Sequence, residues 1–392
     1  MKTNKRIKSI DLLRGLVMVI MALDHTRDFF HFDAFFFDPS DPVKSNLFLY
    51  LTRFVTHFCA PVFVFLSGTS AFFVGQRRTK KELSIWLLKR GFWLIFVEIT
   101  IMKFAWLFQL DYSMTVLQVI WVLGVSMIFL AGIIHLPRKL TIALSLLVVF
   151  GHNYLDSYAP VSLLGSGLWS FLHVRGLVEI GGLFGVAFIY PALPWIFVMA
   201  LGYYFGELYR PSVLSSERTR KLLYIGYSTT LLFFVLRYIN VYGNLEPWTA
   251  YESFSSTLMS FFDITKYPPS LLYLLITLGP SMVFLALVEK WQEHTWAAKL
   301  VTIGRVPMFF YIVHVYVIHL VALFAAKLTG FKFSDMIIDF FVVLQPELKG
   351  YGFNLWIVYL IWVLLIVGLY PLCQRYDHYK TNNRDKWWLS YL

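Results

Sequence analysis

The sequence predicts an all-α fold, a polytopic membrane bundle of about ten transmembrane helices with both termini in the cytoplasm. The chain of 392 residues is 58% hydrophobic and only 15% charged, whereas soluble domains contain about 25% charged residues. Apolar runs of about 20 residues, the length that crosses a bilayer as a helix, recur from end to end. Lys and Arg gather in alternate connectors, which is the topology signal of a membrane protein.

Ten spans follow from the apolar runs. They are 10–30, 47–74, 84–108, 114–136, 140–156, 191–209, 222–241, 268–289, 301–328 and 354–372. We expect the Gly-rich, aromatic stretch 157–190 to be an outer loop with a re-entrant or interfacial piece. No segment between spans is long enough to fold alone. The residues 1–392 therefore form a single transmembrane domain, with 375–392 as a short cytoplasmic tail.

The basic connectors set the orientation. Basic residues begin the chain and follow the second, fourth, sixth, eighth and tenth spans, and the opposite connectors hold few. Cytoplasmic loops carry the excess of Lys and Arg, so both termini are expected inside. The net charge of +11 therefore reflects topology, and the expected partner is the lipid bilayer and not nucleic acid. No small-residue cleavage site follows the first apolar run, so we expect a retained span.

The first span carries the strongest functional signal. Charge at membrane depth is costly, yet this span holds Asp11, Arg14, Asp24, His25 and Asp28. Almost three helical turns separate Arg14 from His25, which places both on one face roughly 16 Å apart along the axis. His25 is a candidate general base that Asp28 could orient, and Asp11 could fix Arg14 for a phosphate group. Alternatively, these residues pair with other spans and only hold the bundle together.

Two further clusters supply candidates for a substrate path or tunnel. Arg53 and His57 are four residues apart and so share a helix face, while the small residues 67–70 are more typical of close helix packing. Arg305 lies toward the cytoplasmic end of its span, where it could meet a nucleotide phosphate. His314 lies at mid-membrane, either lining a tunnel or packing. The histidine spacings and the two cysteines indicate no metal site.

Six segments, in order along nearly the whole chain, resemble one family. They are Ser9–Gly15 (SIDLLRG), Leu23–Phe30 (LDHTRDFF), Cys59–Gly68 (CAPVFVFLSG), Leu193–Gly202 (LPWIFVMALG), Lys266–Ser270 (KYPPS) and Gly304–His314 (GRVPMFFYIVH). They resemble bacterial membrane proteins related to the heparan-α-glucosaminide N-acetyltransferase catalytic domain. The spacing of Arg14 and His25 is also similar to the Arg-x10-His motif of the acyltransferase-3 membrane family.

The resemblance implies a multi-pass acyltransferase of the bacterial inner membrane. It would pass an acyl group, with acetyl expected, from cytoplasmic acetyl-CoA or another acyl-CoA to an outer-face acceptor such as an amino sugar or envelope glycan. Arg14 would face the acyl-CoA, and His25, with Asp24 and Asp28 nearby, would carry the proton work or a transient acyl group. The lysosomal enzyme's catalytic histidine follows its first span, which makes His31 the other candidate. A homodimer stays open.

Two other classes of function stay open from the residues. Intramembrane charges and long aromatic spans also suit a transporter or flippase for a cell-envelope precursor, although no internal repeat is visible. A scaffold or sensing membrane protein would use the same polar residues only for packing. Consumption of a thioester separates an acyltransferase from both alternatives.

Overall fold

Most of the described residues are helical. The computed structural model describes residues 7–157, 165–182, 184–291, 294–383 and 385–390. The α-helices of these residues are α1 Lys8–Phe30, α2 Leu47–Thr56, α3 Cys59–Gly75, α4 Lys80–Val97, α5 Lys103–Leu107, α6 Val119–Ile133, α7 Arg138–Gly151, α8 Gly165–Leu172, α9 Ala192–Phe205, α10 Ser215–Ile239, α11 Phe254–Phe262, α12 Leu271–Val288, α13 Thr295–Arg305, α14 Pro307–Leu328 and α15 Leu355–Asn382. The strands are β1 Met114–Leu117, β2 Gly176–Ile180 and β3 Phe184–Phe188.

Several helices are long and apolar enough to cross a membrane. Within the described residues there are five such segments, judged by length and composition: Leu47–Gly75, which comprises α2 and α3, and the helices α10, α12, α14 and α15. The structure therefore confirms a mostly helical protein with several candidate membrane-crossing helices. The count of about ten spans and the orientation of the termini stay predictions.

The predicted second span is broken, and the break has a local cause. Helix α2 ends at Thr56 and α3 begins at Cys59. Pro61 has no N–H to donate to the carbonyl of His57, four residues earlier. The hydroxyl of Tyr273 donates to that carbonyl instead, at 2.9 Å. The chain can therefore bend here without leaving a buried carbonyl unpaired.

The prediction of one continuous ninth span over 301–328 is wrong. Helix α13 ends at Arg305, and Val306 leaves the helical conformation with φ −126° and ψ 48°. Pro307 then begins α14, a position that suits proline because the first N–H groups of a helix have no intrahelical partner.

The described part of the stretch 157–190 forms the short helix α8 and the strands β2 and β3, and the re-entrant or interfacial position of this stretch stays a prediction. Residues 158–164 lie outside the described part. Strand β2 pairs antiparallel with β3, and β3 pairs in parallel with β1, giving a sheet of order β1–β3–β2. Strand β1 occupies the start of the predicted fourth span. The all-α prediction therefore holds for most of the chain but misses this sheet.

The chain ends also refine the prediction. Helix α15 continues to Asn382, so the first part of the predicted tail 375–392 is helical. Four basic residues used for the orientation, Lys2, Lys5, Arg6 and Arg384, lie outside the described residues.

Opposed glycines bring four pairs of helices into backbone contact. A Cβ added at Gly304 of α13 would lie 1.9 Å from the carbonyl oxygen of Asp11 in α1, and one added at Gly15 would lie 1.9 Å from that of Leu300. The four opposed pairs are Gly15 with Gly304, Gly68 with Gly202, Gly91 with Gly124, and Gly226 with Gly279. Such close approach is how helices associate where lipid removes the hydrophobic drive. The predicted packing role of 67–70 is thus confirmed for Gly68.

We expect Gly304→Ala to lower the free energy of unfolding by about 1–3 kcal/mol, because the new methyl group forces α1 and α13 apart. Gly132→Ala in α6 is the matched control, since nothing lies within 4 Å of its added Cβ. Alanine there should be neutral or stabilising by up to about 1 kcal/mol. Thermal unfolding of both variants in detergent, followed by tryptophan fluorescence, measures the difference. Equal unfolding temperatures would contradict the packing argument.

Candidate functional site

A cavity of about 460 Å³ lies beside the C-terminal half of α1. Its wall includes parts of α1, α2, α3, α5 and α14, together with the π-helical turn Glu98–Met102 that joins α4 to α5. Residues of the loop after α1, of 116–119, 175, 189–190, 266–267 and 340–344 complete the lining. Its charged and histidine residues are Asp24, His25, Arg27, Asp28, Asp38, Arg53, Glu98, Lys103, Arg175 and Lys266.

His25 is held by a chain of hydrogen bonds that fixes its tautomer. Its Nδ1 lies 2.8 Å from Nε2 of His314, and Nδ1 of His314 lies 2.8 Å from the carbonyl oxygen of Phe310. Because a carbonyl can only accept, the network assigns the His314 proton to Nδ1 and leaves its Nε2 as acceptor. His25 therefore donates from Nδ1 and keeps a lone pair on Nε2. No described residue forms a hydrogen bond with that Nε2, which is the state a general base needs.

Aromatic rings hold the same imidazole in place. The His25 ring lies nearly parallel to the ring of His314, with centroids 5.0 Å apart and planes 13° apart. The ring of Trp106 meets His25 edge-on with centroids 4.7 Å apart, and Tyr311 does so at 6.2 Å. Both aromatic residues line the cavity. The orientation of His25 is thus set by α5 and α14 and not by its own helix alone.

The predicted role of Asp28 in orienting His25 is wrong. The Asp28 carboxylate accepts from Nη2 of Arg27 at 2.7 Å, and the partner of His25 is His314. In a medium of low dielectric constant a guanidinium is a stronger partner for a carboxylate than a neutral imidazole is. Arg27 therefore binds the Asp28 carboxylate in place of His25.

Asp24 is the centre of an ion cluster. Nη1 of Arg53 lies 3.1 Å from both carboxylate oxygens, Nη2 of Arg27 lies 2.7 Å from one of them, and Nζ of Lys266 lies 3.8 Å from the other. The hydroxyl of Thr56 donates to the same carboxylate at 2.9 Å. The cluster joins α1, α2 and the loop before α12. For Asp24 this geometry matches the alternative interpretation, in which intramembrane charges hold elements together.

Asp38 borders the cavity from the loop after α1. Burial acts to raise the pKa of its carboxyl group, but the Arg53 cation and hydrogen bonds from Ser40 outweigh burial and hold the pKa below its ordinary value. Asp38 is therefore ionised at neutral pH, and its negative charge acts on Arg53 at the edge of the cavity.

A buried arginine positions the loop that completes the cavity. Arg237 of α10 is 1% exposed and donates to four backbone carbonyls between residues 246 and 263, at 2.7 to 3.1 Å. The loop then brings Lys266 to Asp24, and the hydroxyl of Tyr267 to 3.2 Å from that of Tyr190. The sequence analysis placed Lys266 only in one of the segments that carry the family resemblance. Its position in the cavity depends on contacts too distant in sequence to be predicted from spacing.

Arg14 lies near the other end of α1 and does not line the cavity. It donates to Asp11 at 3.0 Å, to Oγ of Ser70 at 2.8 Å and to the carbonyl of Gly304 at 3.2 Å. The predicted contact between Asp11 and Arg14 is confirmed. Ser70, predicted to be a packing residue, is in addition a partner of this guanidinium.

Arg305 also lies outside the cavity lining. Its Nη1 is 3.0 Å from the carboxylate of Asp377, and its Nη2 donates to Thr381 at 3.1 Å, so it ties α13 to α15. Its buried Nε has no hydrogen-bond partner in the described part of the chain.

The other two predicted histidines of the first half lie outside the cavity lining. His31 closes α1, pairs through its backbone with Phe353, and is 4% exposed; burial lowers the pKa of its imidazole. His57 follows the end of α2 and packs edge-on against Tyr273. Arg53 lines the cavity and His57 does not, although the backbone at His57 keeps a helical conformation, with φ −60° and ψ −27°. Of the two candidate catalytic histidines, His25 lines the cavity and His31 does not.

Sequence reasoning missed Glu98. This residue begins the π-helical turn and is 3% exposed. Its Oε1 accepts from the backbone N–H of Gln118 at 2.8 Å, and its Oε2 has no hydrogen-bond partner among the described residues. The sequence does carry a signal for this residue, because Glu98 is a lone carboxylate inside the apolar run 84–108. Charge at membrane depth is costly, which is the argument that singled out α1. Turns of this kind are often found at functional sites.

Residues 6–243 match the family described as heparan-alpha-glucosaminide N-acetyltransferase, catalytic. The match covers more than half of the chain. The protein belongs to this family. Acetyltransferases of this kind use acetyl-CoA as donor, so family membership indicates acetyl transfer by a multi-pass membrane protein. No curated protein matches the chain.

The family match covers only part of the site. The matched residues 6–243 contain His25, the ion cluster except Lys266, and Glu98, while His314 lies beyond them. The described residues include no group of three or more His, Cys, Asp or Glu side chains that could hold a metal ion. The cavity lining of this family member includes an imidazole, carboxylates and cations.

We expect Asp24→Asn to be strongly destabilising in this acetyltransferase family member. The change removes the negative charge that Arg27, Arg53 and Lys266 share, and breaking a buried ion pair costs about 3–5 kcal/mol. Thermal unfolding in detergent measures the loss. Asp41→Asn is the control, because its side-chain oxygen caps backbone N–H groups of an exposed turn and asparagine can do the same. A loss for Asp24→Asn no larger than for Asp41→Asn would refute the central role of the cluster.

Proposed function

We propose that the protein transfers an acetyl group from cytoplasmic acetyl-CoA, or another acyl group from its CoA thioester, to an acceptor that enters the cavity from the outer face. The acceptor supplies an amine or hydroxyl group, as an amino sugar or envelope glycan does. The observation that carries the proposal is the free Nε2 of His25 at the cavity, with its tautomer fixed through His314. The family match supports the acetyl group and the donor class.

The proposal includes a membrane orientation. The termini lie in the cytoplasm of a bacterial cell, and about ten helical spans cross its inner membrane. The basic connectors support this orientation. It places Arg14 toward the cytoplasm and the cavity with His25 toward the outer face, so that one helix, α1, reaches from the donor side to the acceptor side.

In the proposed reaction His25 acts as the base. Its Nε2 removes the proton of the acceptor N–H or O–H while the acceptor atom attacks the thioester carbonyl carbon. The bond from that carbon to sulfur breaks, and the CoA thiolate leaves and takes up the proton from His25. His314 accepts the Nδ1–H throughout and stabilises the imidazolium that forms. In the variant route Nε2 attacks the thioester first and carries the acyl group.

The donor must reach His25 from the side of Arg14. Arg14 and Arg305 are the proposed partners of the CoA phosphates, and the unpartnered Nε of Arg305 supports this. Arg14 is engaged by Ser70 and Gly304, and neither arginine lines the cavity. Transfer therefore requires the helices around the middle of α1 to separate. The family match does not favour the transporter alternative.

We expect His25→Ala to reduce release of free CoA from acetyl-CoA at least about 100-fold, because the reaction loses its base. The assay uses purified protein in detergent, acetyl-CoA and a panel of amino sugars and envelope glycans. His31→Ala is the matched control and should keep wild-type release, because His31 lies outside the cavity. Wild-type release of CoA by His25→Ala, or loss of CoA release in His31→Ala alone, would show that His25 is not the base. No release by wild type with any acceptor would reject the acetyltransferase function.

We expect His314→Phe to lower kcat about tenfold with an unchanged KM for acetyl-CoA, because His25 loses one hydrogen bond that fixes its tautomer. His314→Gln offers a side-chain oxygen that can accept from His25 and should recover part of the rate. Steady-state kinetics of the two variants gives the comparison. Equal rates for phenylalanine and glutamine would show that His314 acts only by packing.

A further inference from the structure

The start of α4 carries a concentration of positive charge. The run 76–90 holds one acidic residue, Glu82, and six basic residues, which are Arg77, Arg78, Lys80, Lys81, Lys89 and Arg90. Glu82 accepts from the backbone N–H and the hydroxyl of Thr79, at 2.8 and 3.0 Å. These hydrogen bonds and the cation of Arg78 lower the pKa of Glu82, so its negative charge is present at neutral pH. One carboxylate still leaves the run with a large excess of positive charge.

Two of these cations meet at one aromatic ring. The guanidinium carbon of Arg78, which precedes α4, lies 5.8 Å from the ring centroid of Trp86, and that of Arg90 lies 5.6 Å from it. Both distances fall within the range of about 6 Å that is typical of cation–π contacts. Arg90 lies inside the apolar run 84–108, where a charge is costly. Because helical side chains lean toward the N-terminus of their helix, the guanidinium of Arg90 reaches back to Trp86, one turn earlier.

An exposed apolar face of α4 adjoins this ring. Four large apolar side chains on it are between 37% and 62% exposed: Ile85, Leu88, Phe92 and Phe96. They recur at spacings of three and four residues and so share one side of the helix. At about 100° per residue, Trp86 and Arg90 lie beside this face and not on it. Positive charge next to an exposed apolar face matches an anionic phospholipid, in which a phosphate is followed by acyl chains.

We propose that Arg78 and Arg90 bind the phosphate of an anionic phospholipid, phosphatidylglycerol, whose acyl chains lie along the exposed face of α4. Like charges at one ring repel each other, and a phosphate bound by both arginines offsets that repulsion. A guanidinium can bind two phosphate oxygens at once, which the ammonium group of a lysine cannot do with the same geometry. The proposed orientation puts the start of α4 at the cytoplasmic surface, where clusters of Lys and Arg attract anionic lipids. Neither arginine lines the cavity beside α1.

The test compares phosphatidylglycerol with phosphatidylcholine, whose phosphate carries no net headgroup charge with it. The full-length protein is mixed with equal amounts of the two dioleoyl lipids in detergent micelles, and native mass spectrometry counts the lipid molecules that stay bound. Wild type should retain phosphatidylglycerol about tenfold or more over phosphatidylcholine. The double variant Arg78→Gln/Arg90→Gln should lose most of this preference. No preference in wild type, or an unchanged preference in the double variant, would overturn the inference.

The matched control is Lys80→Gln/Lys81→Gln, which removes the same charge from the same run and leaves both arginines at Trp86. It should lower the preference for phosphatidylglycerol by less than about threefold. Equal losses in the two double variants would show a diffuse attraction to charge and overturn a site at Trp86. Arg78→Gln alone changes an exposed residue outside α4, so it tests the site without altering the helix. It should lower the preference about fivefold, and no change would count against the site.

Acetyl-CoA distinguishes a lipid phosphate from the phosphates of a nucleotide. Added to wild type in the same micelles, acetyl-CoA should leave the amount of bound phosphatidylglycerol unchanged. Displacement of phosphatidylglycerol by acetyl-CoA would assign Arg78 and Arg90 to the donor and overturn the lipid site.

Discussion

The structure around the cavity depends on the neutralisation of buried charge. A carboxylate in a low-dielectric bundle is stable only when cations or donors surround it, and Asp24 meets this condition with Arg27, Arg53, Lys266 and Thr56. These partners come from α1, α2 and the loop before α12. The same contacts that neutralise the charge therefore fix the elements that form the cavity wall. His25 follows Asp24 directly in the chain, so the contacts that hold Asp24 also fix the backbone position of His25.

Two kinds of interaction hold α1 in place, one toward each end of the helix. Near its N-terminus Gly15 and Gly304 bring α1 and α13 into backbone contact, and Arg14 ties α1 to α3 and α13 through hydrogen bonds. Toward its C-terminus polar contacts with α2 and α14 replace close packing. The helix is thus tightly packed where the proposed donor approaches and borders a cavity where the proposed acceptor binds.

The features that could be predicted from the sequence are those that depend on near neighbours along one helix. The uninterrupted helix α1, the contact of Asp11 with Arg14 and the packing role of Gly68 all follow from spacing and side-chain size. The contact of His25 with His314 joins residues 289 positions apart, and periodicity cannot specify such a pair. Helical spacing assigned Asp28 to His25 because it lies one turn away, but the adjacent Arg27 is the stronger partner. The pairing of β1 with β3 is likewise non-local, which is why a sheet replaced the start of a predicted span.

If the donor binds as proposed, the two ends of α1 require the bundle to move during transfer. The cavity contains the base but neither Arg14 nor Arg305, and both arginines are engaged with α3, α13 or α15. A CoA phosphate bound at these arginines would compete with their present partners, the Ser70 hydroxyl and the Asp377 carboxylate. Such competition weakens the contacts that hold α3 against α1 and α13 against α15. Donor binding would therefore supply the differential interaction that a shift between closed and open bundles requires. The acceptor site can stay formed during this shift, because the ion cluster around Asp24 shares no residue with the contacts of Arg14 and Arg305.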